Sequence, residues 1–173
     1  MLGRLAYLAL AAVVLALWAL MTQVVVPEIT GAAGGQQILD ARFLGYNLPA
    51  AQAFADRLTP TGHDLYLEAL HRLDAIFAPA LAVFLVWSFA VLLPRGAAVA
   101  MALVAMGGAV ADLVENARVA ALLNAAHLDD ALVSAASDAT RIKGALDGLA
   151  LAVFVGAVLV AGYRRARRLG PRP

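Results

Sequence analysis

Four stretches of the chain are apolar for long enough to form helices that cross a membrane. Leu5–Val26 runs 22 residues without a charge and Ala75–Leu93 runs 19. Ala97–Leu123 is apolar through Ala111 and then carries Asp112, Glu115, Asn116 and Arg118. Ile142–Tyr163 is interrupted only by Lys143 and Asp147. A hydrocarbon layer about 30 Å thick takes roughly 20 helical residues. Backbone groups find no water there, so a helix is the element each run predicts. The alternating ten-residue strands of a barrel are missing. Arg4 before the first run resembles a signal-peptide start, but the run is too long for an h-region and no small-x-small cleavage site follows, so a retained helix is expected. The predicted fold is all-α, an integral membrane four-helix bundle running up-down-up-down. It forms one membrane domain over residues 1–173, with spans near 5–26, 75–93, 97–123 and 142–163.

The connections carry their own signals. Pro94-Arg95-Gly96 is short enough only to join antiparallel neighbours. The external loop 27–73 is too long for a bare connector. Thr30–Gly35 reads as flexible, and Asn47 with Pro49 reads as a helix start. Ala50, Ala53, Phe54 and Leu58 recur at helical spacing, which predicts a short amphipathic helix ending before Thr59-Pro60. Thr61-Gly62-His63-Asp64 opens a helix that continues into the second span and bends near Pro79. Ser134, Ser137 and Thr140 offer caps for the fourth span. Gly144, Gly148, Ala152 and Gly156 form a small-residue stripe, expected to pack within the bundle, with homodimerisation as the alternative.

Composition narrows the classes. The chain is 63% hydrophobic and 14% charged, with mean hydropathy +0.82. That excludes a soluble domain and a nucleic-acid partner. There is no cysteine, hence no disulfide, thiolate metal site or Cys nucleophile. Arg4, Arg95, Arg164, Arg165, Arg167, Arg168 and Arg172 stand in segments without acids, whereas the acids lie in the two larger loops or the helix halves beside them. The bias predicts both termini, including the basic tail 164–173, on the cytoplasmic side.

Depth makes the polar residues informative. At 1.5 Å per residue from the cytoplasmic ends, Asp112 stands roughly 22 Å up its span and Glu115 roughly 27 Å. Asp147 stands roughly 24 Å up, Lys143 roughly 30 Å and Asp74 roughly 28 Å. Three helices thus place ionisable groups in one layer of the outer half. Asp112, Glu115 and Asn116 share one helical face with Gly108 a turn below, and Lys143 and Asp147 are at i and i+4. A charge in a span costs about 2.5–3.5 kcal/mol at mid-membrane, so these groups are expected to turn inward. Lys143 with Glu115 or Asp112 is the expected pair, with Arg118 and Arg141 as further cations. The alternative is an ion-pair network that only fixes helix register.

Leu39-Asp40-Ala41-Arg42 with Gly45-Tyr46, the later Asp74, Asp112-Leu113-Val114-Glu115-Asn116, and Ala136-Ser137 with Thr140 and Lys143 resemble an uncharacterised family of small four-helix bacterial membrane proteins. The likeness covers roughly residues 39–145 and is sharpest in Asp-x-x-Glu-Asn with the lysine of the fourth helix. It implies a four-helix fold in the bacterial inner membrane. It also implies a common site on Asp40, Arg42, Asp74, Asp112, Glu115, Asn116 and Lys143, and it supplies no activity. His63 and the acidic 127–130 stretch have no counterpart in it.

Asp112, Glu115, Lys143 and Asp74 are therefore the candidate catalytic residues. Asn116, Asp147, Arg141, Arg42, Asp40 and His71 are the candidate substrate-binding residues. Glu68-x-x-His71 with Asp74 is half of a carboxylate-bridged metal motif and lacks the second half, so neither a metal nor a cofactor is expected. Ser88 has no neighbouring base and is read as bonded to its own helix. Three functions compete. The first is a membrane protein that binds or transforms a lipid-like substrate of the outer leaflet. The second is a non-catalytic assembly subunit of a larger membrane complex or homo-oligomer. The third is a small ion-coupled transporter, disfavoured because the cytoplasmic halves offer no polar path.

Overall fold

The computed structural model describes residues 2–169. Arg172 and the rest of 170–173 lie outside them. The fold is all-helical, with no strand among the described residues. Four helices are long and apolar enough to cross a membrane: α1 (Leu2–Ala32), α3 (Pro60–Leu92), α4 (Arg95–Leu123) and α5 (Asp130–Leu169). A short helix, α2 (Leu48–Arg57), lies between α1 and α3, preceded by one 3-10 turn at Leu39–Ala41. Helix α4 packs along α3 on one side and α5 on the other, and α1 packs against α3.

Each helix outruns its apolar stretch, because capping residues rather than hydropathy set its ends. Helix α1 continues through the segment expected to be flexible and closes at Gly34-Gly35. The Gly35 amide bonds back to the Thr30 carbonyl at 2.8 Å and the Gly34 amide to Gly31 at 3.1 Å, with Gly34 at φ +65°. Asn47 starts α2, its Oδ1 accepting from the Ala50 amide at 3.1 Å. The cap of α3 is Thr59, whose Oγ1 accepts from the Gly62 amide at 3.2 Å, and Pro60 takes the first helical position. Thr61, expected to open this helix, lies inside it. Asp129 caps α5 by accepting from the Leu132 amide at 2.8 Å. Ser134, Ser137 and Thr140 are consequently interior helical positions, not caps. The loop expected over 124–140 shrinks to 124–129, and the one over 27–73 to 33–59.

Two π-turns interrupt the ladders, at Met21–Val25 and Leu65–Leu70. The first ends two residues before Pro27, whose ring cannot bond to, and crowds, the carbonyl four residues back. The Val26 amide reaches Met21 instead, widening the turn. The second sits at Tyr66 and changes the phase of α3 just above Asp74.

The interior is layered. An apolar cluster at one end unites Ile29, Leu39, Phe54, Tyr66, Leu70 and Val119. A second, further along, holds Leu85, Phe89, Ala98, Ala105 and Ala150. Along α3, α4 and α5 the polar residues Asp74, Asp112, Glu115, Thr140 and Lys143 fall between the two. The outward faces are apolar as well: Leu5, Leu15, Val91, Leu103, Val110 and Leu159 are exposed. The small-residue stripe departs from its expected role within the bundle. Gly144 receives Phe43, but Gly148, Ala152 and Gly156 stand exposed, and side-chain atoms added at 148 and 156 would meet nothing.

Candidate functional site

Lys143 is the centre of the polar layer. Its ammonium lies 2.6 Å from Asp112 Oδ1 and 2.7 Å from Glu115 Oε2. The sequence anticipated one partner or the other; the side chain reaches both, because Asp112 and Glu115 are one turn apart on α4. The Lys143 side chain is 13% exposed, Asp112 3% and Glu115 not at all. Charges this dry interact far more strongly than surface pairs, and each depends on its partners to offset lost hydration.

Further carboxyl groups surround this triad. Asp74 on α3 and Asp40 on the 3-10 turn are buried, and Asp147 lies one turn beyond Lys143 on α5. Among the described residues none of the three has a basic nitrogen within 4.0 Å, and Asp112 and Glu115 are the two acids paired with the ammonium. Gly108 makes room for this on α4: a Cβ there would collide with the Asp147 carboxylate. Asn116, also buried, has neither end of its amide bonded. Asp40 Oδ2 and Glu115 Oε1 are likewise buried without a hydrogen-bond partner. Unmatched polar atoms at this density are unusual in a finished core.

Tyr66 fixes Asp40 in place. Its hydroxyl donates to Asp40 Oδ1 at 2.9 Å and accepts from the amides of Leu39 and Asp40 at 3.1 and 3.3 Å. Burial raises the Asp40 carboxyl above the usual carboxylate range, with Lys143 and the Tyr66 hydroxyl pulling the other way. His71 stacks edge-on to Tyr66, ring centres 5.4 Å apart, with its Nε2 buried and unbonded at the margin of the layer.

Three expected cations are placed elsewhere. Arg118 is exposed on the apolar outer face with Leu113 and Val114, and it makes no ion pair among the described residues. The Arg42 guanidinium is tied to the Gln37 carbonyl through Nε at 3.1 Å and Nη2 at 2.8 Å. Arg141 is 61% exposed and pairs with Asp138 at 3.5 Å. Arg42 and Arg141 therefore leave the buried site and line a separate groove above it. Helical phase explains this: Arg141 is only two residues from Lys143 and so points to a different face. Glu68 pairs with Arg72 at the surface, away from His71's buried nitrogen. Among the described residues no group of three His, Asp or Glu side chains is arranged to hold a metal.

Tyr66, Thr140 and Ser137 were not anticipated as part of the site. Tyr66 and Thr140 are fully buried, and the Ser137 hydroxyl accepts from the Tyr46 amide at 2.8 Å. One signal was available for Tyr66: with Leu70 and Asp74 it recurs every four residues along α3. Ser88 bonds its own helix at the Phe84 carbonyl, 2.7 Å away, and also meets the Tyr7 hydroxyl at 3.0 Å. Comparison of the chain with protein-family models, curated proteins and solved structures finds no match.

Proposed function

We propose that this chain is a multi-pass protein of a bacterial inner membrane whose buried acid–lysine layer binds or transforms a lipid-like substrate from the outer leaflet. In this reading α1, α3, α4 and α5 cross up-down-up-down, both termini are cytoplasmic and residues 33–59 form an external cover. The apolar outward faces and the clustering of arginine at one end support that placement. So does the likeness of Asp112-x-x-Glu115-Asn116 and Lys143 to the small four-helix bacterial proteins.

The observation that carries the reading is the excess of acid: four buried carboxyl groups and the half-buried Asp147, from three helices and the cover, around one ammonium. A register-fixing ion pair needs only one acid per cation. Acids with different surroundings, side by side in a dry layer, can divide the roles of proton donor and acceptor. The Asp40 carboxyl, held up by burial and steered by Tyr66, is suited to donate. Asp112 and Glu115, paired with Lys143, are suited to accept. Asn116 offers an amide for orienting a substrate's polar group.

The test compares cells carrying the unaltered chain with cells carrying Asp112→Asn/Glu115→Gln, at matched levels of folded protein. A changed profile of one class of membrane amphiphile is expected. An unchanged lipid profile with unchanged growth refutes the reading.

A second reading, an accessory subunit or homo-oligomer, draws on α5. Only 6% of its most apolar window is buried, against 28% for α3 and α4, and the exposed Gly148–Gly156 stripe lies there. Purification within a larger complex would favour it. Transport is opposed by the apolar cluster of Leu85, Ala105 and Ala150 on the cytoplasmic side of the site, and only a pH-dependent flux in proteoliposomes would restore it.

A further inference from the structure

We infer that the groove between the 37–47 segment and the start of α5 binds the phosphate of an anionic outer-leaflet phospholipid, with one acyl chain lying along α5. The inference rests on the membrane placement proposed above and is independent of any chemistry at Lys143. The groove encloses about 730 Å³ and is lined by Arg42, Arg141, Asn47, Gln37 and Ser137 among others, with no acid in its wall.

Its two walls are joined deliberately. Gly45, at φ +89°, brings the loop backbone so close to α5 that a Cβ would lie 2.8 Å from Arg141 Cδ and Ser137 Oγ. The Tyr46 amide fastens the same point to Ser137. Arg42 is aimed by its two bonds to the Gln37 carbonyl, with longer ones to Gln36 Oε1 at 3.4 Å and the Ala50 carbonyl at 3.5 Å, and among the described residues it has no carboxylate within ion-pair distance. Among the described residues the only ion pair of Arg141 is the long, exposed contact to Asp138. Two guanidinium groups on one polar groove, with one exposed carboxylate as the competing charge among the described residues, match the charge of a phosphate.

The surroundings distinguish a lipid from free phosphate. Phe43 is 58% exposed and Leu44 96%, at the tip of the same loop. A second depression of about 470 Å³ continues from Phe43, Leu44 and Arg141 past Ile142 and Ala145, down the apolar face of α5. Asp138 also borders it, near its polar end. A phosphate held at the arginines therefore has an apolar track leading from it toward the membrane interior.

The experiment uses the full chain in a nonionic detergent, with lipid retention read by native mass spectrometry. Dioleoylphosphatidylglycerol, dioleoylphosphatidylcholine and inorganic phosphate are the probes. Retention of the anionic lipid should exceed that of the zwitterionic one about tenfold. Arg141→Gln should erase that preference, a loss of about tenfold, leaving the zwitterionic lipid unaffected. Leu44→Asp, at a fully exposed position, should produce the same loss without touching the packed fold. Excess inorganic phosphate should not displace the lipid. Equal retention of the two lipids, indifference to both substitutions, or displacement by phosphate overturns the inference. Asp112→Asn/Glu115→Gln should retain the anionic lipid as well as the unaltered chain does. A chain that stays soluble without detergent would instead remove the membrane placement itself.

Discussion

Replacing Lys143 by Met keeps most of the side chain's volume and removes the only ammonium of the buried layer. In the native protein that ammonium sits 2.6 and 2.7 Å from two carboxylates of almost no exposure. At an effective dielectric constant of 20 each contact is worth about 6 kcal/mol before desolvation. Several kcal/mol per ion of lost hydration oppose this, so the whole assembly contributes little net. Removing the cation alone is different, because Asp112 and Glu115 remain buried without it. The expected loss is about 3–5 kcal/mol of unfolding free energy. The neighbouring acids Asp40, Asp74 and Asp147 push it toward the upper end. Denaturant titration of the full chain in detergent measures it. The triple variant Lys143→Met/Asp112→Asn/Glu115→Gln removes the stranded charges with the cation and should recover most of the loss, giving a large coupling energy. A loss below about 1 kcal/mol for the single change, typical of an exposed pair, would refute the reasoning. So would a triple variant no more stable than the single one.

Three further outcomes follow from the surrounding contacts. Tyr66→Phe strands Asp40 Oδ1 and the amides of Leu39 and Asp40, and should cost about 2–3 kcal/mol in the same titration; no measurable loss would contradict the bonding described. The Asp40 carboxyl is raised from 3.8 mainly by burial, so the folded state holds its proton longer than the unfolded one. Its stabilising contribution is thus full below pH 3.8 and is lost as pH rises through the higher folded value; Asp40→Asn should flatten that part of the stability–pH curve, and an unchanged slope would count against it. Gly45→Ala meets both a positive φ and contacts at 2.8 Å, and should loosen the 37–47 loop at a cost of about 1–3 kcal/mol, seen as protease cleavage between 42 and 47.

The polar layer was legible because charges inside apolar runs have few places to go. Depth along each helix put Asp74, Asp112, Glu115, Lys143 and Asp147 at one level, and the i, i+3 spacing turned the α4 acids to one face. Direction for the arginines was not legible. Arg118 and Arg141 lie at nearly the right depth, but both stand exposed; Arg141, two residues from Lys143, faces another way. Tyr66 was not singled out and Thr140 was not placed in the site, because an uncharged hydroxyl carries little penalty to flag it in an apolar stretch. The helix ends were misjudged where several capping residues competed, as Asp129 did with Ser134, Ser137 and Thr140. The convergence of Asp40 with the helical acids depends on a loop's path and came only with the family resemblance.

What decides the function is whether the buried acids receive a ligand beneath residues 33–59. A density map of the full chain in nanodiscs of bacterial inner-membrane lipid tests this most directly. It should show an ordered amphiphile whose polar end meets Asn116, Glu115 and Asp40 beside Lys143. A map in which these groups bond only to one another, with every amphiphile confined to the outer apolar faces, would contradict it.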